Sequence, residues 1–246
     1  MNAPGGMSPK RSGMSVAQLL AAGVGLAAAS YAAYVGLTWY RYGHVTPETD
    51  ADEQDALLDM FMPDYEVVER HRVQIAAPAE IALAAASEMD LQGPVISRGI
   101  FKAREWILGA DPDATARPRG LLALVRSLGW GVLADIPGRE IVMGAVTQPW
   151  KANVVFRALP PDEFAAFHEP DHVKIVWTLR ADPLGPAESM FRTETRAVST
   201  DPASRARFRR YWSFLSPGII LIRWLSLGPL KIEAERRARE SIPGPL

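Results

Sequence analysis

Two short stretches carry residues whose types and spacing invite chemistry. In YEVVERHRVQI, Glu69 and His71 stand two apart, and in SMFRTETRAV, Arg192, Glu194 and Arg196 repeat at the same interval. Alternate side chains of a strand share a face, so Glu69 and His71 align with Val67, Val73 and Ile75. In an apolar pocket, a carboxyl and an imidazole so placed can orient a ligand or move a proton. On an outer face, the same histidine has only a structural role. The Arg192–Glu194–Arg196 triplet is a charge ladder on a solvent face, worth a few tenths to about 1 kcal/mol per pair. Facing a cavity, it holds a carboxylate or phosphate headgroup. Trp177, flanked on its own face by Val173, Ile175 and Leu179, either lines a pocket or fills a core. The ligand-binding candidates are therefore Glu69, His71, Trp177, Arg192 and Glu194, with His71 and Glu69 as the catalytic candidates.

Other patterns fail on chemistry. HEPDH at 168–172 brings His168 and His172 close, with Asp171 as an oxygen donor. A helical zinc motif, however, needs both histidines on one helix face, and Pro170 breaks that geometry. No third strong ligand stands out, so no metal is expected. GVG at 23–25 lies inside an apolar run without the strand–turn–helix context of a dinucleotide site. No serine sits in a nucleophile elbow, and the chain of 246 residues has no cysteine. No residue pattern requires a cofactor. A net formal charge of −1 argues against general nucleic-acid binding.

The elements that must position these residues follow a charge-free opening. From Met14 to Tyr40 there are 27 consecutive uncharged residues. As a helix this run reaches roughly 40 Å, against a hydrocarbon core of about 30 Å. Trp39, Tyr40 and Tyr42 around Arg41 suit headgroup level. A cleaved export signal is the competing reading, but the run is too long and Tyr31 and Tyr34 interrupt the small residues a cleavage site needs. We read a disordered tail over 1–13, a transmembrane helix over 14–42, an acidic linker over 43–62, a folded domain over 63–240 and a tail over 241–246. Gly25, Ala29 and Ala33 repeat at a spacing of four, which permits weak self-association in the bilayer. Lys10 and Arg11 precede the span and an acidic run follows it, so a single-pass topology with the domain outside the cytoplasm is expected.

Within the domain, partial alternation predicts a strand over 67–75 and Pro78 opens a short helix. A further helix is expected over 97–109, and 117–128 is ambiguous between loop and helix. A turn at Pro137–Gly138 separates two extended segments. Strands follow around 173–180 and 189–198, joined by ADPLGPAES. A long helix starts at Pro202, behind the capping Asp201, and Ser216–Pro217–Gly218 should kink or split it. Residues 211–222 are apolar enough to suggest a second crossing, yet Arg223 and the proline–glycine pair weaken that idea. A helix packed on a sheet needs the same apolar surface.

This order of elements, with YEVVERHRVQIAAPAEI at 65–81, SMFRTETRAV at 189–198 and RARFRRYWSFLSPGIILIR at 205–223, resembles the SRPBCC superfamily of START-like and polyketide cyclase/dehydrase-like proteins. The resemblance covers about residues 64–240. It implies an α+β helix-grip fold, with a curved antiparallel sheet around a long C-terminal helix and a mainly apolar cavity. It also implies binding of lipids, polyketides or other hydrophobic molecules. None of these segments is a catalytic signature.

Three functions fit. The first is membrane-anchored binding of a hydrophobic small molecule or lipid. The second is a cyclase or dehydratase-like enzyme using His71 and Glu69. The third is a protein-interaction domain whose cavity is filled by its own side chains. RARFRR at 205–210 adds a basic patch suited to anionic headgroups.

Overall fold

The computed structural model describes residues 15–45, 54–90 and 118–241, so the helix expected over 97–109 lies outside the described residues, as do most of both tails. The charge-free run forms α1 (Val16–Arg41). It opens on a capping box in which the Ser15 hydroxyl accepts from Gln18 N–H and the Gln18 side chain accepts from Ser15 N–H. A short α2 (Ala56–Phe61) follows, capped by the Asp55 carboxylate on Leu58 N–H. Next come β1 (Val67–Ile75), α3 (Ala79–Glu88) and α4 (Leu121–Ser127), the last resolving the ambiguous 117–128 segment as a helix.

The strands β2 (Gly131–Ile136) and β3 (Glu140–Thr147) form the expected hairpin, whose turn uses Gly138 at φ +71°. Then come β4 (Phe156–Arg157), α5 (Pro161–Ala166), β5 (Val173–Gly185), β6 (Glu188–Ser199) and α6 (Pro202–Ser241). The strands β5 and β6 run further into ADPLGPAES than the sequence suggests, leaving Pro186 and Ala187 as the turn. A register shift between Pro183 and Gly185 accommodates the proline.

All strand pairs are antiparallel, in the order β1-β6-β5-β3-β2 with β4 on β3. Apolar side chains cover both faces. On the inner face, Ile75, Phe191, Trp177, Leu179 and Met143 pack against α3 and against Leu230 and Ala234 of α6. Nearer the start of α6, Phe208 and Trp212 close over Val67, Val173 and Ala197. On the outer face, Leu58, Met62, Phe164 and Phe167 pack against Leu133, Val142, Val146 and Val176. Every residue of β3 is buried as a result. A Cβ at Gly144 would run into the Leu133 side chain, which would have to shift to admit it.

The helix α6 starts on the Asp201 carboxylate, which accepts from the N–H groups of Ala203 and Ser204. It does not split at Ser216–Pro217–Gly218 but continues to Ser241, with Pro217 and Pro229 inside it. Pro217 has no N–H for the Ser213 carbonyl, so the turn is locally weakened. Tertiary contacts with α1 hold it. Ser213 and Ser216 are buried, the Tyr31 hydroxyl of α1 donates to Phe214 O at 2.6 Å, and the Tyr34 hydroxyl meets Ser216 Oγ at 3.0 Å.

The last residue of the aromatic cluster at the end of α1 belongs to the domain. Tyr42 is buried beside Phe208, and its hydroxyl donates to Glu66 Oε2 at 2.6 Å. The same carboxylate accepts from Ser199 N–H and Oγ and pairs with Arg205, while Gly43 N–H donates to Glu66 O. This knot fixes α1 to the domain. Tyr42→Phe strips one buried donor from it and should cost about 1–2 kcal/mol. Urea unfolding of the full chain should show a lower midpoint at an unchanged m-value; an unaltered midpoint would mean that Glu66 is satisfied without the tyrosine.

Candidate ligand site between the sheet and the last helix

Residues directly opposite on antiparallel strands point to the same side. Glu69 of β1 faces Thr195 of β6, which faces Trp177 of β5, and His71 faces Thr193. Glu69, His71 and Trp177 therefore share the inner face that α6 covers. Trp177 is buried and meets Trp130 edge-on at 6.2 Å. In this row, Glu69 and His71 lie between the two inner apolar clusters, one at each end of α6, with Trp177 in the cluster that holds Leu230 and Ala234.

The helix brings Arg223 to this row. Arg223 is the only charged residue between Tyr211 and Leu230. Its charge acts on both Glu69 and His71. Burial raises the Glu69 carboxyl above its ordinary value, partly offset by Arg223. Burial lowers the His71 imidazole, and Arg223 lowers it further. The guanidinium itself is brought down to about 10 by burial, partly offset by Glu69. Each shift has the sign of a charge that has lost water without gaining a close partner. The neutral groups show the same deficit, since His71 Nε2, Thr195 Oγ1 and Ser213 Oγ are buried without a hydrogen bond. Sequence reasoning treated Arg223 only as an obstacle to a membrane crossing. The available signal was its isolation within an apolar helix.

Arg192 and Glu194 stand on the opposite, outer face. Glu194 accepts from Arg70 Nε at 2.9 Å and from Arg196 Nε at 2.6 Å. Arg196, 3% exposed, also bonds Asp59 and Met62 O and lies 4.6 Å above the Tyr65 ring. Arg192 and Arg180 share Asp182, at 3.1 and 2.8 Å. Thus the five candidates divide, with Glu69, His71 and Trp177 beneath α6 and Arg192 and Glu194 in a paired outer network. A polar pocket of about 190 Å³ is lined mainly by outer-face residues, Asp55, Arg70, Thr178, Arg180, Arg192 and Glu194, and is also reached by Arg72, His71 and Thr193 of β1 and β6.

The HEPDH stretch is a connector. The His172 ring bonds Pro170 O at 2.8 Å and packs against Phe167, while Asp171 takes φ +66° and receives bonds from Gln148 and Arg207. No group of three metal-ligating side chains assembles among the described residues. In RARFRR, Arg205 pairs with Glu66 and Arg207 with Asp171. Arg209 bonds Trp39 O and lies 4.4 Å over its ring, whereas Arg210 projects outward.

The sheet, open in hydrogen bonding and covered by one long C-terminal helix, has the α+β helix-grip arrangement that the resemblance implied. No protein-family profile matches the sequence, and no curated protein matches it. Three solved structures illustrate the structural similarity. Norcoclaurine synthase from Thalictrum flavum, in complex with dopamine and hydroxybenzaldehyde, is 11% identical with a TM-score of 0.30, over 80% of this chain and 99% of that one. A START superfamily protein from Mycobacterium smegmatis is 13% identical with a TM-score of 0.25, over 71% and 99%. The Zhui aromatase/cyclase from Streptomyces sp. R1128 is 12% identical with a TM-score of 0.25, over 70% and 94%.

One titration in the outer network is directly testable. Glu140, 4% exposed, is pushed up to about 7 from an ordinary 4.5, first by burial and then by Asp55 beside it. Between those two values the folded chain holds a proton that the unfolded chain has released. Stability therefore falls as pH rises from about 4.5 to about 7. Glu140→Gln keeps a hydrogen-bonding side chain and removes the titration. Its denaturant midpoint should fall less than that of the wild type between pH 5 and pH 8; parallel profiles would refute the assignment.

Proposed function

We propose that this protein is a membrane-anchored binding domain for an amphipathic small molecule or lipid, held between the sheet and α6. The observation that carries this reading is the set of unpartnered polar groups, His71 Nε2 and Thr195 Oγ1 beside Arg223, on a wall bounded by apolar clusters at both ends. Buried polar groups are normally hydrogen-bonded, and leaving one unmet costs about 1–3 kcal/mol. A ligand with an apolar body and one polar or anionic end supplies the missing partners, while burial of its body provides roughly 25 cal/mol per Å² before ordering costs.

The anchor is α1, which is long and apolar enough to cross a membrane; α6 meets the same test of length and composition but packs one face on the sheet. The basic Lys10 and Arg11 before α1, against the acidic stretch after it, support a domain outside the cytoplasm. A lateral contact between two α1 helices through Gly25, Ala29 and Ala33 belongs to the same proposal, and the space around Gly25 is open.

A second reading has its own support. Burial moves the Glu69 carboxyl up and the His71 imidazole down, so their proton affinities approach each other, which favours moving a proton through a ligand bound between them.

The deciding experiment is native mass spectrometry of the full chain, purified in mild detergent from a membrane-containing host, with solvent extraction of whatever is bound. We expect an amphipathic molecule to accompany the wild type and to be lost from Arg223→Met and His71→Ala variants that retain their circular dichroism. A folded protein that carries nothing and takes up no apolar probe would overturn the binding reading and favour the interaction domain.

A further inference from the structure

We propose that the outward face of α6, from Phe214 to Ile232, rests on the bilayer that α1 crosses. The inference rests on the anchor reading above and begins with a length mismatch. The part of α1 before Tyr31, from Val16 to Ser30, is exposed throughout and reaches only roughly 22 Å. A hydrocarbon core of about 30 Å needs a span that takes in Tyr31 and Tyr34 as well. Those two tyrosines are the residues bonded to Phe214 O and Ser216 Oγ. Crossing the membrane therefore draws the Phe214 turn of α6 to the edge of the lipid.

From that turn onward α6 presents a surface that suits lipid. At 3.6 residues per turn, Phe214, Leu221, Leu225, Gly228 and Ile232 fall within roughly 40° of one line along the helix, and Trp224 flanks it. Phe214, Leu221, Trp224 and Ile232 are 42–68% exposed. The charged residues of this stretch, Arg223 and Lys231, point away from the line. Arg223 lies towards Glu69 and His71, and Lys231 donates to Gln74 O. Exposed Arg210 stands at the near end of the line, next to Arg209 stacked on Trp39, where lipid phosphates would lie. A helix lying in the interface with its apolar face about 5–10 Å deep accounts for this arrangement.

The chain has no cysteine, so single-cysteine variants report cleanly. Nitroxide labels are placed at Leu20→Cys in α1, at Leu221→Cys and Trp224→Cys on α6, and at Val155→Cys, which is 74% exposed in the segment before β4. The full chain is then put in nanodiscs of phosphatidylcholine with phosphatidylglycerol, whose two faces are both open to solutes. Collision with oxygen is compared with collision with a water-soluble nickel chelate.

We expect labels at 20, 221 and 224 to favour oxygen and the label at 155 to favour the chelate. Chelate-accessible labels at 221 and 224, with 20 in lipid, would overturn this inference and leave the anchor standing. Chelate access at all four would remove both. Spin–spin broadening at 224 would assign the face to a second copy of the chain and would equally overturn contact with lipid.

Discussion

The constraint from which the rest follows is that the sheet is buried on both faces. Strand β3 has no exposed residue, and β5 packs Val176 outward and Trp177 and Leu179 inward. A charged side chain on a covered face of such a sheet gives up much of its water. It must find a partner or stay unpaired at the cost of desolvation. The two faces meet this demand in opposite ways. Outside, Glu194 lies between Arg70 and Arg196, and Asp182 serves Arg180 and Arg192, so charge is matched at hydrogen-bond distance. Inside, Glu69, His71 and Arg223 influence one another only through their fields, and neighbouring polar atoms lack partners. A fold able to pair the outer set so closely leaves the inner set open. That contrast is what supports the inner face as the proposed binding wall.

The helices obey a second constraint. The α6 helix has to cover the inner face from Phe208 to Ala234 without interruption, yet its sequence places Pro217 in the middle. The weakened turn is stabilised from outside the domain by α1 through Tyr31 and Tyr34, and the Glu66 knot holds the end of α1 in place for that contact. The α1 helix and the domain are thus one mechanical unit. A freely jointed tether would leave the orientation of the domain to chance, whereas this junction presents one face of α6 on the side from which α1 emerges.

Spacing in the sequence was enough to group Glu69 with His71 and Arg192 with Glu194, because a strand alternates strictly. It could not say which group would meet the helix. Apolar residues occupy both sides of these strands, and the side is set by strand partners far away in the chain. The Pro137–Gly138 hairpin, the Asp201 cap and the order of elements were legible because each is a local signal. That the helix would not split at Ser216–Pro217–Gly218 was hidden for the complementary reason: the rule for proline in a helix is local, while the contacts that bridge the turn come from α1. Arg223 was visible as an isolated charge, but its role depends on Glu69 and His71 at the start of the domain. Trp39, Tyr40 and Tyr42 read as one interfacial cluster, yet Tyr42 is buried beneath Phe208 while Trp39 stacks on Arg209.

The proposed site and the proposed membrane surface lie on opposite sides of one helix. Arg223 points to the sheet, while Leu221 and Leu225, within a turn of it, point outward. A helix with its side chains is about 10–12 Å across, so a molecule at the polar wall would lie about one helix width from the lipid face. An apolar ligand leaving the bilayer would then have no aqueous gap to cross, which is the main obstacle for a molecule that partitions strongly into lipid. The polar wall adds selection. Because Arg223 is the lone charge on its stretch of α6 and Glu69 opposes it across the interface, an anionic end would be drawn to the guanidinium and disfavoured by the carboxylate. Protonation of Glu69, which burial already favours, would ease that repulsion.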